Sequence, residues 1–255
     1  MPFSTFSSQH TPINRIFSTS VTAIVSSGLI CHLKTAPPTG STWTDDVGNS
    51  NATLANSPTY SSSNGGYISL NGSNQYVMTS TSLNAQISGT SPNKSTAQSI
   101  FIWCYPTEQG VIISEIGQAT INTGWHDSNI EITSSGVVDF SVWHNGLTNK
   151  VSSAAKSFNN WYHLGWTYSG TTLTAYINGA SVGTVTLTRS APFNNGQNLH
   201  YALGAADSTE MGSDGSFCAM NVGSFQVYNR ALTAGEVATN FNSNRTIYGL
   251  LAEAI

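Results

Sequence analysis

Large apolar residues alternate with small or polar ones through the middle of this chain. Between residues 162 and 168 every second residue is apolar, which is the period of two shown by a half-buried β-strand. Ser169-Gly170 interrupts the pattern, a second alternating run covers residues 172–177, and a third follows from 182 to 187. Asn178-Gly179 joins the last two runs and favours a type I′ hairpin turn, in which both central residues have positive φ. The pattern therefore predicts a three-stranded antiparallel meander.

Short apolar runs of the same kind recur along the chain and predict further strands. They lie at residues 28–34, 67–70, 75–79, 99–105, 111–116, 129–132, 137–143, 199–204 and 222–228. Turn signals separate them every 8–12 residues or so, a spacing typical of β-sandwiches.

One helix is predicted near the end of the chain. Thr233 and Glu236 have the spacing of a capping box, and Val237 and Phe241 then fall on one helical face. The helix should end near Asn244. Because no Pro/Gly-rich linker occurs between residues 28 and 250, we expect one domain, residues 28–255, with a single short C-terminal helix.

Residues 1–27 differ from the rest of the chain, because they are rich in Ser and Thr and show no period. We interpret them as an extended N-terminal arm that docks on a partner. The predicted docking residues are the spaced apolar side chains Phe3, Phe6, Ile13, Ile16 and Phe17. A weak signal peptide at residues 13–30 is the alternative, but Ser and Thr interrupt its apolar run and no clear cleavage site follows.

Charged residues make up only 8% of the chain, against roughly 25% in an average domain. The net charge is −4, and the eight Lys and Arg residues are scattered. Nucleic acid is disfavoured as a partner, because neutralising phosphates needs clustered cations. With no apolar run of 18 residues, we expect no membrane insertion. A neutral polar surface suits a protein that packs against neighbours or faces carbohydrate.

Three cysteines, Cys31, Cys104 and Cys218, lie far apart in apolar runs. They form no CxxC or Cys/His metal pattern. Buried free thiols are therefore expected, and one disulfide with one free thiol is the alternative.

Several blocks of sequence are similar to one known family. They are GLICHLK, TWTDDVGNSNATL, SLNGSNQYV, SIFIWCYP, NNWYHLGWTYSGTTLTAYINGASVGT and NVGSFQVYNRALTAGEVATNFNSNR. In this order they resemble laminin-G-like domains of the concanavalin-A-like lectin/glucanase superfamily, over roughly residues 28–250. The resemblance implies an all-β fold, an antiparallel two-sheet jelly-roll sandwich. Such domains serve as lectins, adhesion modules, enzyme appendages and virion proteins. Within this superfamily, the sequence most resembles phage and other viral structural proteins.

The residues argue against hydrolysis. The glucanases of this superfamily place two carboxylates on one strand face, about 5–5.5 Å apart in retaining enzymes. This chain has no such run: Glu115 stands alone, and Asp127 and Glu131 are separated by more than about 10 Å of strand rise. We therefore expect that the protein is not an enzyme. His163 lies in the family hairpin, and a structural hydrogen bond is its predicted role.

Calcium is the metal that the resemblance implies, on a rim of the sandwich. Asp45 and Asn49 match the family's TWTD loop, and Asp207 and Asp214 lie in a second acidic loop. Turn formation by Asp and Asn is the alternative explanation for both loops. No other cofactor is expected.

Aromatic side chains offer a second kind of site, because their faces stack on sugar rings. Trp125, His126, Asp127 and Trp143 are the predicted glycan-binding residues, and Trp103, Trp161 and Trp166 are assigned to the core.

Taken together, these features predict a virion structural protein: a capsid decoration, neck or fibre component that docks through its arm. A trimeric or dimeric homo-oligomer is expected, and contact with host-surface glycans is compatible with this function. A calcium-dependent, extracellular glycan-binding lectin or adhesin is the alternative. A glycoside hydrolase is the least favoured function.

Overall fold

A computed structural model describes residues 23–34, 37–88, 97–122, 126–142, 149–186, 198–207 and 215–251. Short strands dominate these residues, and two α-helices accompany them. The elements are β1 (Leu29–Leu33), β2 (Thr42–Trp43), β3 (Ala52–Ala55), β4 (Thr59–Ser61), β5 (Tyr67–Asn71), β6 (Tyr76–Thr79), α1 (Asn84–Ser88), β7 (Ala97–Pro106), β8 (Gly110–Ile116), β9 (His126–Ile132), β10 (Val138–Phe140), β11 (Val151–Ser152), β12 (Tyr162–Ser169), β13 (Thr172–Ile177), β14 (Ala180–Thr186), β15 (His200–Leu203), β16 (Ala219–Tyr228) and α2 (Ala234–Asn244).

The strands form two antiparallel sheets. The back sheet, which α2 covers, has the order β14-β13-β12-β7-β16-β5-β4, and β1 also pairs with β16. The front sheet has the order β11-β10-β9-β8-β15-β6-β3-β2. Several neighbours in both sheets are far apart in the chain, as in a jelly roll. The predicted all-β sandwich with a C-terminal helix is confirmed.

The predicted meander is present at one edge of the back sheet. Leu164 pairs with Ile177 across the first hairpin, and Leu173 pairs with Val185 across the second. Asn178 and Gly179 have φ of 51° and 80°, the positive values required by the predicted turn. The third strand begins at Ala180, two residues earlier than the sequence pattern suggests.

Apolar side chains from the inner faces of both sheets fill the sandwich. Trp166, Tyr201 and Phe225 are among the largest side chains that are completely buried there. Burying a large apolar side chain stabilises a fold by about 1.5–3 kcal/mol, so this layer is the main source of cohesion. Trp103 and Trp161 are also buried, but on the outer face of the back sheet, where they form a second cluster with Tyr248.

Helix α2 closes that outer face. Thr233 is its N-cap and forms the predicted capping box with Glu236, and the helix ends at Asn244 as expected. The Phe241 ring stacks on Trp103 with 5.6 Å between ring centroids. Because this aromatic layer is sealed by the helix, the back sheet presents no open face at this point.

The last residues assigned to the N-terminal arm lie against the domain. The Val25 amide donates to Asn240 Oδ1 over 2.8 Å, and the Tyr228 hydroxyl donates to the Val25 carbonyl over 3.0 Å. Arg230 Nε donates to the carbonyl of Ser27. Residues 25–27 are therefore held by β16, α2 and the segment between them, and the boundary of the arm at residue 27 stays a prediction.

All three cysteines are buried and unpaired, which confirms the expected free thiols. Among the described residues, no helix is long and apolar enough to cross a membrane.

Candidate functional site

An open cleft lies at one end of the front sheet. The strands β6 and β8 end at this edge and β15 begins there, because β15 runs antiparallel between the other two. The cleft has a volume of about 760 Å³. Its described lining consists of three short segments: Ser80, Thr81 and Ser82 after β6, Gly117, Gln118 and Ala119 after β8, and Asn198 and His200 at the start of β15.

Hydrogen bonds fix one wall of the cleft in place. The Ser80 amide donates to the Asn51 carbonyl over 2.7 Å. Ser50 Oγ donates to the Thr81 carbonyl and accepts from the Thr81 amide. The Ser82 hydroxyl accepts from the Leu199 amide over 2.9 Å. These bonds join the loop after β6 to both neighbouring chain segments, so the cleft is pre-formed at this side.

The tautomer of His200 is fixed by its surroundings. Its Nδ1 lies 2.7 Å from the Thr79 carbonyl oxygen, which can only accept, so Nδ1 carries the hydrogen. Burial lowers the pKa of His200, and the contact with Thr79 opposes this only in part. The ring is therefore neutral near pH 7, and Nε2 is a hydrogen-bond acceptor.

Neutral hydrogen-bonding groups thus line the described part of the cleft. Gln118, Asn198 and Thr81 are exposed, and they supply amide and hydroxyl groups that both donate and accept. None of the described lining residues is Lys, Arg, Asp or Glu. Such a surface can exchange hydrogen bonds with the hydroxyl groups of a sugar, and it carries no counter-charge for an ionic ligand.

The sequence did not indicate this site. Two of its segments lie directly after predicted strands, where polar residues are typical of turns, and the third lies at the start of a predicted strand. The sequence offers one indication of the site. Ser80-Thr81-Ser82 and Gly117-Gln118 each follow a run that is predicted to be a strand. The order of the strands in the sheet, which brings the segments together, is not encoded locally.

The predicted glycan-binding residues fall elsewhere or outside the described residues. Trp125 and Trp143 lie outside the part of the chain that the structure describes, as does the side chain of His126 in β9. Asp127 is only 4% exposed and pairs with Glu115 of β8. Cross-strand partners point to the same face of a sheet, and this pair faces the interior with Tyr201. Asp127 therefore does not line the cleft.

Asp45, a predicted calcium ligand, makes a different set of contacts. Its Oδ1 accepts from the amides of His32 and Val47, and its Oδ2 accepts from the amides of Asn49 and Ser50, at 2.7–3.0 Å. Four backbone donors occupy the lone pairs that a cation would need, so this geometry suits a turn better than a metal. The side-chain amide of Asn49 donates a hydrogen bond to the Ile30 carbonyl.

The second predicted calcium loop is described only in part. Asp207 Oδ1 accepts from the Asn122 amide over 2.5 Å, and Asp214 lies outside the described residues. Within the described ranges, no three His, Cys, Asp or Glu residues are arranged to hold a metal ion. The calcium site stays a prediction. The predicted docking residues Phe3, Phe6, Ile13, Ile16 and Phe17 also lie outside the described residues.

Acidic residues pair across the strands, contrary to the expectation from the sequence. Glu115 does not stand alone, because Asp127 lies directly opposite it on β9. Glu131 likewise lies opposite Asp139 of β10. Directly opposed residues have Cβ atoms about 4.5–5.5 Å apart, so pairing between strands creates carboxylate pairs that no single strand contains.

The predicted hydrogen bond of the His163 side chain is also wrong. The imidazole is completely buried, and neither ring nitrogen has a hydrogen-bond partner among the described residues. The ring instead packs against Phe101 and Trp103, with 5.1 Å between ring centroids in each case. The bond at this position is made by the backbone, where the His163 amide donates to Asn178 Oδ1.

Solved structures with a similar fold include a sialidase and a neurotoxin. A Trypanosoma rangeli sialidase in complex with sialic acid matches 88% of this chain with a TM-score of 0.63 and 16% identity. A structure of botulinum neurotoxin type C, whose cell entry depends on interaction with two ganglioside molecules, matches 85% with a TM-score of 0.61 and 16% identity. This chain covers 34% of the sialidase chain and 51% of the toxin chain. A search of curated protein sequences gave no match.

These matches correct the expectation that the protein is not an enzyme. Chains of sialidases contain this fold, and the fold is compatible with both enzymes and binders. At 14–16% identity the likeness establishes the fold alone. The lectin-like jelly roll supports carbohydrate binding.

The family is established by sequence. The family described as the concanavalin A-like lectin/glucanases superfamily matches residues 71–238, about two thirds of the chain. This range begins at the end of β5 and extends into α2, so it includes the three described segments that line the cleft. The chain belongs to the concanavalin A-like lectin/glucanase superfamily.

Proposed function

We propose that this protein binds uncharged carbohydrate in the cleft at the end of the front sheet. The observation that carries the proposal is the lining, which combines exposed amides and hydroxyls with a neutral His200 acceptor. Sugar hydroxyls need both donors and acceptors, and the amides of Gln118 and Asn198 provide both.

The charge of the cleft selects among glycans. Ligands such as sialic acid carry a carboxylate, which proteins usually meet with Arg or Lys. No described residue of the lining is cationic, and His200 is neutral near pH 7. Neutral sugars are therefore the favoured class, in contrast to the sialic acid bound by the sialidase.

A glycan array tests the proposal on the full chain, with and without a chelator. Binding that persists in the chelator supports this cleft, and binding lost in it supports the calcium-dependent alternative. The strongest neutral ligand is then titrated by calorimetry against Gln118→Ala, Asn198→Ala and the double variant. Asn242→Ala is the matched control, because Asn242 is an exposed amide on α2, at the other sheet.

A lost hydrogen bond costs about 0.5–1.5 kcal/mol, so the double variant should bind roughly tenfold more weakly or worse. The control should bind like the wild type. If no glycan binds in either condition, or if both cleft variants retain full affinity, the cleft is not a sugar site.

The virion role is a second proposal, and the charge-poor sequence favours it. With only 8% charged residues, the surface has little self-repulsion and suits close packing in a homo-oligomer or against other virion proteins. Because Val25 and Ser27 are hydrogen-bonded to the domain, the test should delete only residues 2–22 of the arm. If the truncated protein still assembles on its parent particle, docking through the arm is refuted.

A further inference from the structure

A buried acid lies in the interior of the sandwich, directly beneath the cleft. Glu115 is the penultimate residue of β8 and is completely buried. It pairs with Tyr201 of β15, the residue after His200 of the cleft. Glu115 points to the inner face, whereas the neighbouring Gly117 and His200 line the cleft.

Hydrogen bonds connect this acid to both sheets. The Tyr201 hydroxyl donates to Glu115 Oε1 over 3.0 Å. The side-chain amide of Gln98, on β7 of the back sheet, donates to the same Tyr201 hydroxyl. The chain Gln98–Tyr201–Glu115 therefore bridges the two sheets at the end that carries the cleft.

The cluster around Glu115 has more acceptors than donors. Among the described residues, Glu115 Oε2 and Gln98 Oε1 are buried acceptors without a hydrogen-bond partner. The Asn129 side-chain amide contacts Glu115 and carries two N–H donors, and its oxygen lacks a partner among the described residues, so three acceptors stand against the two N–H groups of this amide. Buried acceptors are rarely left in this state, because each costs about 1–3 kcal/mol. A proton on the Glu115 carboxyl would supply the missing donor.

The titratable groups that face Glu115 are themselves acids. Asp127 lies opposite it on β9, and Tyr201 contacts it from β15. Cys31 of β1 interacts electrostatically with Tyr201. Each of these side chains would be negative when ionised. Among the described residues, no Lys or Arg contributes to the pKa shift of the Glu115 carboxyl. A buried carboxylate without a cation is strongly disfavoured.

We propose that Glu115 is a proton-binding site that keeps its proton in the folded protein at neutral pH, within the hydrogen-bonded chain that joins the two sheets beneath the cleft. Burial raises the pKa of Glu115 to about 8, and the contacts with Tyr201 and Asn129 offset only part of this rise. In the unfolded chain its pKa is the ordinary 4.5. Between these values the folded state holds a proton that the unfolded state has lost.

Stability should therefore fall as the pH rises. The stabilisation by this group is complete below pH 4.5, decreases as the pH rises, and is lost once the pH has passed about 8. Within that window each pH unit raises the unfolding constant by about tenfold through this one group.

The test compares Glu115→Gln with wild type in urea unfolding from pH 5 to pH 9. Gln is permanently neutral and retains the shape of the acid, so the variant should lose this component of the pH dependence. Glu108→Gln is the matched control, because it makes the same change at an exposed position. Its unfolding constant should follow that of wild type. An unchanged pH slope in Glu115→Gln overturns the proposal.

A second measurement needs no variant. Infrared spectroscopy distinguishes a protonated carboxyl from a carboxylate in the folded wild-type protein. We expect a carboxylic-acid band that is still present at pH 7 and titrates near pH 8. If every carboxyl is ionised at pH 7, Glu115 holds no proton and the inference fails, whatever the stability of the Gln variant.

Discussion

Replacement of His163 by Leu should make the protein less sensitive to acid. The imidazole is completely buried under α2, and its two nitrogens have no hydrogen-bond partners among the described residues. Burial therefore lowers the pKa of His163 to about 3, from an ordinary value of 6.5. Below pH 6.5 the unfolded chain takes up a proton that the folded protein excludes, so stability is lost as the pH falls toward 3.

The size of this effect follows from the two pKa values. One pH unit between them corresponds to about 1.4 kcal/mol, so at pH 5 the histidine costs about 2 kcal/mol relative to neutral pH. Leu has a similar volume and cannot be protonated. At pH 7 the variant should lie within about 1.5 kcal/mol of wild type, because the packing volume is nearly conserved.

Urea unfolding followed by tryptophan fluorescence, at pH 7 and pH 5, measures the difference. The contributions of other histidines, such as His32 and His200, are present in both proteins and cancel. The expected result is a gain of about 2 kcal/mol for His163→Leu over wild type on going from pH 7 to pH 5. If the difference between the two proteins is the same at both pH values, His163 is not buried in neutral form between Phe101 and Trp103.

Two further predictions concern Gly110 and Asp45, and both are measured by urea unfolding at pH 7. Gly110 has a φ of 140°, and an added Cβ would lie 2.1 Å from the Phe217 carbonyl oxygen, so Gly110→Ala should cost about 3 kcal/mol or more. Gly235→Ala in α2 is its control, because nothing lies within 4 Å of the new Cβ, and it should stabilise by about 0.5–1 kcal/mol. Asp45→Ala leaves four backbone amides without their acceptor and should cost about 3 kcal/mol. A loss below about 1 kcal/mol in Asp45→Ala would show that the turn does not depend on the carboxylate.

Local signals in the sequence were enough to locate most strands and helix α2, but not the short helix α1. The alternation in residues 162–168 and the Asn178-Gly179 pair depend only on neighbouring residues, since strand period and turn φ are local properties. The capping box of Thr233 and Glu236 is local in the same way. The family blocks, taken in order, then identified the sandwich.

The sites were decided by the tertiary structure. Glu115 and Asp127 meet because β8 pairs with β9. The cleft forms because β15 lies between β6 and β8, which brings together residues 80–82, 117–119 and 198–200. Within the part of the chain that the structure describes, the His163 ring lacks its expected hydrogen bond because α2 and two aromatic rings enclose it. Strand periodicity indicates which face a side chain takes, but the order of strands in a sheet depends on contacts between distant segments, and that order placed the polar groups of the cleft and the acid beneath it.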